Sequence, residues 1–219
     1  MKIHVLTCGI GLGFLIEQPQ GLYLVDCGSP GTSRPVMEKM KSLGRTDLKL
    51  IWITHAHYDH YGNAAALRER TGAKVGVHPA DVQYLSVGKS PLGTARNSGF
   101  LFYPGQAMLQ WITPLPRTRP DFVLQDGETF EKFGLEATVV HTPGHTPGHT
   151  CVLLSQGIAF AGDLIAGVPK MRIQYQVATD WSQLPGSLAR LKATQPEWVY
   201  SGHCRRPMPG RIFQHIKAV

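Results

Sequence analysis

The sequence has no long apolar run, no paired cysteine motif and no secretory leader pattern. No stretch of about 18 apolar residues occurs, so we predict no transmembrane helix. The chain does not start with a charged region followed by roughly 7–15 apolar residues, as a signal peptide does. The four cysteines, Cys8, Cys27, Cys151 and Cys204, form no C-x-x-C pair. We therefore expect free thiols and a cytoplasmic location.

Runs of basic residues are also missing. Lys and Arg number 22 against 15 Asp and Glu, which gives a formal charge of +7. The longest basic run is Arg205-Arg206, which is too short to indicate a nucleic-acid surface. We predict a small-molecule substrate, with neither a nucleic-acid partner nor a membrane partner. The oligomeric state stays open.

What is present is typical of a folded domain. Hydrophobic residues make up 42% of the chain and charged residues 17%, whereas a disordered chain has low hydrophobicity and high charge. The 219 residues suit one domain, and no heptads, repeats or low-complexity tracts occur. We predict a single domain over residues 1–219.

Strand-like and helix-like segments alternate in the first third, and strand-like segments return in the last hundred residues. The nearly continuous apolar run Leu48–Ile53 is typical of a strand buried on both faces. Towards the end we predict two strands within 130–140, a helix over 181–194 with Asp180 as its N-cap, and a closing helix over 210–219.

Histidine is abundant, and four candidate metal ligands follow the run Leu48–Ile53 closely. In an extended chain, residues two apart point to the same side, so His55 and His57 can bind one cation. Asp59 and His60 come where the chain turns towards a helix and can face another direction. One loop could thus serve two adjacent cations, and imidazole with carboxylate suits Zn²⁺, Mn²⁺ or Fe²⁺.

A second group of histidines recurs every four residues over 141–149. The intervening Pro and Gly residues break helices, so we predict a rigid loop. We interpret central His145 as a ligand, and His141 and His149 as residues that pack or hydrogen-bond within the loop. Two further candidates, Asp163 and His203, each follow a predicted strand, where sites in α/β proteins collect.

Taken in order, these residues resemble the ligand pattern of the metallo-β-lactamase superfamily, and the resemblance covers essentially the whole chain. It implies an α+β fold, a four-layer αββα sandwich in which two mixed β-sheets are flanked by helices. It also implies two metal sites with one bridging residue: His55, His57 and His145 for one ion; Asp59, His60 and His203 for the other; and Asp163 for the bridge.

The implied chemistry is hydrolysis. Two divalent ions, most readily Zn²⁺ with Fe or Mn as alternatives, lower the pKa of a shared water and polarise a carbonyl or phosphoryl group. The bridging hydroxide attacks, and Asp59 is the predicted catalytic residue because it can orient the nucleophile or pass a proton. No G-x-S-x-G motif is present, and no serine nucleophile is needed.

Asp163 narrows the comparison within the superfamily. True β-lactamases usually lack an aspartate bridge there, whereas the full set of seven resembles glyoxalase II and related lactonases, as does the repeated Thr-Pro-Gly-His. Only 16 residues follow His203, so the helical region that holds glutathione in glyoxalase II has no counterpart. We therefore predict a hydrolase of small esters, thioesters or lactones.

Two other functions stay open. Persulfide dioxygenases of the superfamily keep much of the ligand motif but use a single iron, so an oxidoreductase is not excluded. The other is a metal-stabilised binding protein without catalysis. Metal content with oxygen uptake tests the first, and the melting temperature after metal loss tests the second.

Segment 86–120 is a predicted insertion, rich in proline and aromatic residues, that would form a lid on the substrate pocket. Tyr103 and Trp111 are candidates for its apolar wall. Lys170 and Arg172 are candidates for contact with an anionic group of the substrate. Packing within the insertion and ordinary surface charge are the alternatives.

Overall fold

The computed structural model describes residues 1–101, 103–105, 108, 115–167 and 170–218. The strands within these residues are β1 (Lys2–Cys8), β2 (Gly11–Gln18), β3 (Gly21–Val25), β4 (Leu48–Trp52), β5 (Lys74–Val77), β6 (Thr94–Ala95), β7 (Phe122–Val123), β8 (Ala137–His141), β9 (Thr150–Leu154), β10 (Ile158–Phe160), β11 (Ile165–Ala166), β12 (Arg172–Ile173), β13 (Val177–Ala178), β14 (Trp198–Tyr200) and β15 (Met208–Pro209). The helices are α1 (Arg34–Ser42), α2 (Tyr58–Tyr61), α3 (Ala64–Thr71), α4 (Val82–Val87), α5 (Leu184–Ala193) and α6 (Gly210–Phe213).

Most of the strands form two mixed sheets. The first has the order β1-β2-β3-β4-β5-β7, with antiparallel pairs up to β3 and parallel pairs from β3 onward. The second has the order β15-β14-β10-β9-β8, in which only β10 and β14 pair in parallel. Both sheets combine the two kinds of pairing, which confirms the prediction of mixed sheets.

Apolar side chains from both sheets fill the space between them. Phe14 on β2 and Trp52 on β4 belong to the same buried cluster as Val152 on β9 and Phe160 on β10. The ring centroids of Phe14 and Phe160 are 5.1 Å apart. Burying one such side chain stabilises the fold by about 1.5–3 kcal/mol, so this layer holds the two sheets face to face.

Helices cover the outer faces of both sheets. The strand residues next to those inner ones point outward, so Leu15 and Ile51 pack with Val36 of α1 and Leu67 of α3. Helices α5 and α6 cover the second sheet in the same way. The order helix, sheet, sheet, helix confirms the predicted αββα sandwich.

The two-strand prediction for residues 130–140 is wrong in its first half. Glu131–Phe133 is a 3-10 turn that ends at Gly134, whose φ of +79° only glycine adopts readily. The chain reverses there, and a single strand, β8, follows. The predicted buried strand at Leu48–Ile53 is confirmed as β4.

The two helices predicted near the end of the chain are shorter than expected. Helix α5 starts at Leu184 because Pro185 suits only the first turn of a helix. Asp180 is therefore not its N-cap, and its carboxylate instead accepts hydrogen bonds from Ser182. The closing helix α6 covers only Gly210–Phe213.

Four strand ends lie where the predicted ligands follow. Strands β4, β8, β10 and β14 are each followed, within a few residues, by a segment that carries His55, His145, Asp163 or His203. In the part of the chain that the structure describes, no helix combines the length and apolar character needed to cross a bilayer.

Candidate metal centre

The first ligand loop begins where β4 leaves the first sheet, and Asp26 fixes both of its ends. The Oδ1 atom of Asp26 accepts a hydrogen bond from the Thr54 amide, and Oδ2 accepts one from the Thr54 hydroxyl, both at 2.8 Å. The same Oδ2 accepts from Nδ1 of His60 at 2.8 Å. Asp26 is fully buried and has a φ of +54°, a conformation that aspartate tolerates better than most residues. Asp26 directly follows β3, so the end of this neighbouring strand sets the position of His60.

The histidines of this loop each use one ring nitrogen for an outward hydrogen bond. His55 donates from Nδ1 to Thr54 Oγ1 at 3.0 Å, because the hydroxyl proton is already donated to Asp26. His57 donates from Nε2 to the Pro91 carbonyl at 3.0 Å. Nε2 of His55 and Nδ1 of His57 are left as acceptors that face the site.

A buried carboxylate joins this loop to the Pro/Gly loop over 141–149. Asp81 Oδ2 accepts from the Ala56 amide and the Thr146 hydroxyl, and Oδ1 accepts from the Gly148 amide, each at 2.8 Å. Burial raises the pKa of Asp81, and these hydrogen bonds act against that rise. One aspartate thus sets the spacing between two ligand-bearing loops.

His145 projects from the Pro/Gly loop towards the first two histidines. It donates from Nδ1 to the Val177 carbonyl at 2.9 Å, which leaves Nε2 free. That Nε2 lies 3.2 Å from Nε2 of His55 and 2.9 Å from Nδ1 of His57, and the latter two atoms are 3.1 Å apart. Ligands at a Zn–N distance of about 2.0–2.1 Å in a tetrahedron are separated by about 3.3 Å. The three nitrogens are therefore spaced for one ion.

His149 connects the Pro/Gly loop to Asp163. Its Nε2 accepts from the amides of Asp163 at 3.1 Å and Leu164 at 3.2 Å, so the ring proton is on Nδ1, which donates to Thr142 Oγ1 at 2.9 Å. Burial lowers the pKa of His149 to about 3 and keeps the imidazole neutral. The predicted hydrogen bond within the loop is thus only one of two roles of His149. Its other ring nitrogen holds the segment that carries Asp163 and so orients this predicted ligand.

The Asp163 carboxylate reaches histidines on both sides of the site. Its Oδ2 atom lies 3.1 Å from Nε2 of His203 and 3.6 Å from Nε2 of His145, while Oδ1 lies 3.5 Å from Nε2 of His60. His203 donates from Nδ1 to the Ile10 carbonyl at 3.2 Å, so its Nε2 also faces inward.

The seven predicted ligands come together as three overlapping groups. Within each group, the ligand atoms lie within 4.8 Å of one another. The groups are His55, His57 and His145; His55, His60 and Asp163; and Asp59, His60 and His203.

The two ends of the site differ in charge. Burial lowers the pKa of His55 and His145 well below the usual range, and that of His57 by less. These rings are therefore neutral, and each can offer a lone pair to a metal ion. At the other end, burial acts against protonation of His60, but the surrounding carboxylates outweigh it and raise its pKa well above the usual range. That end holds protons which a cation would displace on binding.

The pKa values of His203 and Asp163 are also set by a balance between burial and neighbouring charges. Burial lowers the pKa of His203, but Asp163 outweighs this effect and raises it to about 9. Burial raises the pKa of Asp163, but His203 and His60 hold it well below its usual range. The carboxylate is therefore ionised and able to bind a cation.

The donor set fits divalent cations. Asp163 Oδ1 is buried and has no hydrogen-bond partner in the described part of the protein, although a buried carboxylate oxygen normally has one. It lies 3.5 Å from Nε2 of His60, where a bound cation would supply the missing partner. Five imidazoles and two carboxylates are the ligand types preferred by Zn²⁺ and similar metals.

Comparison with known proteins identifies the family. The family model of the metallo-beta-lactamase superfamily matches residues 6–203. The chain belongs to this superfamily. Its members bind metal ions, and the superfamily includes metal-dependent hydrolases.

Individual relatives within the superfamily agree with that result. The chain is 27% identical over 240 residues to the probable metallo-hydrolase YflN of Bacillus subtilis, covering 97% of this chain and 87% of that protein. It is 29% identical to the hydroxyacylglutathione hydrolase of Erythrobacter litoralis, covering 93% and 67%. A HARLDQ-motif mutant of the metallo-beta-lactamase from Cronobacter sakazakii superposes with a TM-score of 0.69 at 26% identity, covering 92% and 77%.

The ligand groups of this superfamily member open into a cavity of about 510 Å³. Five of the predicted ligands line it: His57, Asp59, His145, Asp163 and His203. The other described lining residues are apolar or uncharged: Ile10, Tyr58, Gly105, Ala166, Gly167, Gln174, Gln176 and Val177. A substrate in this cavity would meet the metal centre along one wall.

Unlike five of the predicted metal ligands, the predicted substrate-binding residues that the structure describes do not line the cavity. Tyr103 does not line the cavity, and its hydroxyl donates to the Gly93 carbonyl at 2.5 Å. Trp111 lies outside the described residues. Lys170 is exposed, and the exposed Arg172 lies over the ring of Tyr175 at 4.3 Å. The involvement of these residues in binding stays a prediction.

The described part of segment 86–120 packs beside the cavity. Strand β6 pairs with β13, which contains the lining residue Val177. The Arg96 amide donates to the Gln176 carbonyl at 2.8 Å, and Gln176 Nε2 donates to Ser98 Oγ at 3.0 Å. Gly105 reaches the lining itself. The lid stays a prediction, but part of the segment borders the pocket.

Proposed function

We propose that the protein is a hydrolase that binds two divalent ions, most readily Zn²⁺, and cleaves small esters, thioesters or lactones. The observation that carries the proposal is the set of three overlapping ligand groups beside one cavity, with the ionised Asp163 between them. The hydrolase names of the relatives in the same superfamily support it.

The donors divide between the two ions by position. His55, His57 and His145 would hold one, and three others would hold the second: Asp59, His60 and His203. Asp163 would contact both. Bound there, the ions would supply a water of lowered pKa and a Lewis acid for the substrate carbonyl.

The protein's own groups orient and protonate the reactants. Asp59 lines the cavity, and its Oδ2 lies 3.6 Å from Nε2 of His203. This carboxylate can accept a proton from the nucleophile and pass it to the leaving group, which is why we propose it as the catalytic residue.

We also propose a cytoplasmic location for the protein. The free cysteines, three of them buried, are compatible with a reducing cytoplasm. We propose a small molecule as the binding partner, rather than nucleic acid or a membrane.

A hydrolysis panel with quantified metal tests this function. The metal-loaded protein is assayed against thioesters, lactones, phosphodiesters and β-lactams, with metal content measured on the same sample. We expect two divalent ions per chain and turnover of an ester, thioester or lactone. His57→Ala removes one donor of the first group and should lower kcat/KM at least about 100-fold, which separates true turnover from a contaminant.

A different result points to the alternative chemistry. Binding of a single iron per chain, with oxygen consumption on a persulfide and no hydrolysis, would replace the hydrolase with a dioxygenase. Activity that is unchanged in His57→Ala would show that the observed turnover does not come from this site.

A further inference from the structure

Apart from the predicted ligands, the walls of the metal-centre cavity carry no cation among the described residues. In the part of the chain that the structure describes, these walls consist of small or apolar groups, the phenol of Tyr58 and two neutral amides, Gln174 and Gln176. Of the residues that the structure does not describe, none has a charged side chain, as the sequence alone shows. These residues therefore cannot add a lysine or an arginine to the cavity.

The arginines in nearby segments are engaged elsewhere. Arg96 lies over the ring of Trp181 at 4.4 Å, and Arg172 lies over the ring of Tyr175 at 4.3 Å. Arg205 donates a hydrogen bond to Thr7 Oγ1. None of the three lines the cavity, and neither does the exposed Lys170. The preference proposed below therefore replaces the predicted contact of Lys170 and Arg172 with an anionic group.

One of the two amides has an unused acceptor. Gln174 has no open acceptor, since its Oε1 accepts from the amides of Tyr175 and Gln176, while its Nε2 donates to the Asp163 carbonyl. Gln176 donates from Nε2 to Ser98, but its Oε1 accepts no hydrogen bond within the described residues. Among the described lining amides, Gln176 thus has an oxygen that is open to a donor on the substrate.

From these observations we propose that the site selects uncharged acyl compounds and rejects those with a carboxylate on the acyl chain. The proposal rests on the proposed function for its chemistry, and names the substrate class of that site. The alkyl part lies against Ile10, Ala166 and Val177, and a donor on the substrate, such as an amide or hydroxyl, meets Gln176 Oε1. A carboxylate would leave water without finding a cation in the walls, and the loss of its hydration is then uncompensated.

Two hydroxamates with the same metal-binding head test this preference without turnover. Hexanohydroxamic acid ends in a methyl group, whereas adipic monohydroxamic acid has a carboxylate at the same end. Their dissociation constants for the metal-loaded protein are measured by calorimetry. Because the heads are identical, the difference reports on the walls. We expect the uncharged compound to bind at least about tenfold more tightly.

Gln176→Lys provides the reciprocal measurement. A cation at the wall should reduce the discrimination at least about tenfold by strengthening binding of the carboxylate. Gln156→Lys is the matched control, because it makes the same change at an exposed turn and should leave the ratio as in the wild type. An unaltered ratio in Gln176→Lys would remove Gln176 from the recognition site.

The result is separable from that of the hydrolysis panel. Equal or tighter binding of the carboxylate compound by the wild-type protein overturns the preference, whatever the panel shows. A panel without turnover, together with tenfold selectivity between the hydroxamates, overturns the proposed hydrolase and supports the preference.

Discussion

At the residue scale, the candidate site depends on hydrogen bonds that orient each of its five predicted histidine ligands from behind. The five ligand histidines donate their outward ring proton to an oxygen, so that one nitrogen of each faces inward. The acceptors are Thr54 Oγ1, the Pro91 carbonyl, Asp26 Oδ2, the Val177 carbonyl and the Ile10 carbonyl. Loss of such a partner commonly lowers metal affinity about 10–100-fold.

His149→Ala should destabilise the protein by about 2–4 kcal/mol, because the buried amides of Asp163 and Leu164 lose their shared acceptor. Metal affinity should fall about 10–100-fold as Asp163 loses its orientation. Urea denaturation and competition with a chelator measure the two effects. His141→Ala is the control for metal affinity: this half-buried histidine of the same loop contacts no ligand residue, so its loss should cost the stack on His78 but leave metal affinity unchanged. Equal effects of both variants on metal affinity would contradict this role of His149.

The residues that the structure brings together as candidate ligands were predictable from sequence, whereas the residues that hold them in place were not. His55 and His57 can be identified by their residue type and two-residue spacing, and His145 by the Pro and Gly residues around it. Asp26 and Asp81 are single aspartates whose partners are up to 67 positions away. Only the fold brings donor and acceptor together, so no local pattern could have identified them.

At the element scale, the short pairing of β6 with β13 holds the described start of segment 86–120 against the cavity wall. Two glycines allow that approach. A Cβ atom at Gly93 would lie 2.1 Å from the Ala178 carbonyl oxygen, and one at Gly99 would lie 2.0 Å from that of Gln176. Strands of two residues have no detectable alternation, which is why the sequence did not predict this contact, whereas the longer β4 was predictable from its apolar run.

Gly99→Ala should loosen this segment, because the methyl group collides with the Gln176 backbone. We expect a loss of about 1–3 kcal/mol, faster proteolytic cleavage between residues 90 and 105, and a KM raised several-fold with a smaller change in kcat. Limited proteolysis and steady-state kinetics provide the readout. Gly105→Ala, where a Cβ meets nothing within 4 Å, is the control for stability and cleavage. If Gly99→Ala is cleaved no faster than this control, the segment is not held by that contact.

At the scale of the whole molecule, two of the contacts that join the halves of the sandwich near the site involve metal-binding or titratable groups. One is the candidate metal centre, whose predicted ligands follow strands of both sheets. The other is a stack of His78, which follows β5 in the first sheet, on His141 at the end of β8 in the second; their ring centroids are 3.9 Å apart. The free energy of unfolding should therefore depend on metal concentration through the first contact and on pH through the second.

Acid should weaken the fold partly through His78. Burial, and then the neighbouring His141, lower its pKa to about 4, against about 6.5 in an unfolded chain. Between these values the unfolded state binds more protons, so the free energy of unfolding falls as pH drops from about 6.5 to 4. His78→Gln should flatten this dependence by up to about one proton, as measured by urea denaturation from pH 7.5 to 4.5. His215→Gln, at an exposed histidine, is the control; an identical slope for wild type and His78→Gln would contradict the prediction.

Metal removal should lower the melting temperature by about 10 °C. Free ion at about 1,000 times its dissociation constant stabilises the folded state by roughly 4 kcal/mol, and each kcal/mol is worth about 2–4 °C in a chain of this size. Scanning calorimetry with chelator, and again after Zn²⁺ is restored, measures the shift. Complete metal loss with no change in melting temperature would show that the ions do not join the two halves.

The placement of ligands on both sheets also has a consequence for biosynthesis. A ribosome makes the donors in chain order, and no group of three is complete before His145. The all-histidine group is finished first, the group with Asp163 next, and the group with His203 last. If these groups bind cations as proposed, a nascent chain would acquire its cation sites in steps, and the final step would wait until nearly all of the second sheet has been translated.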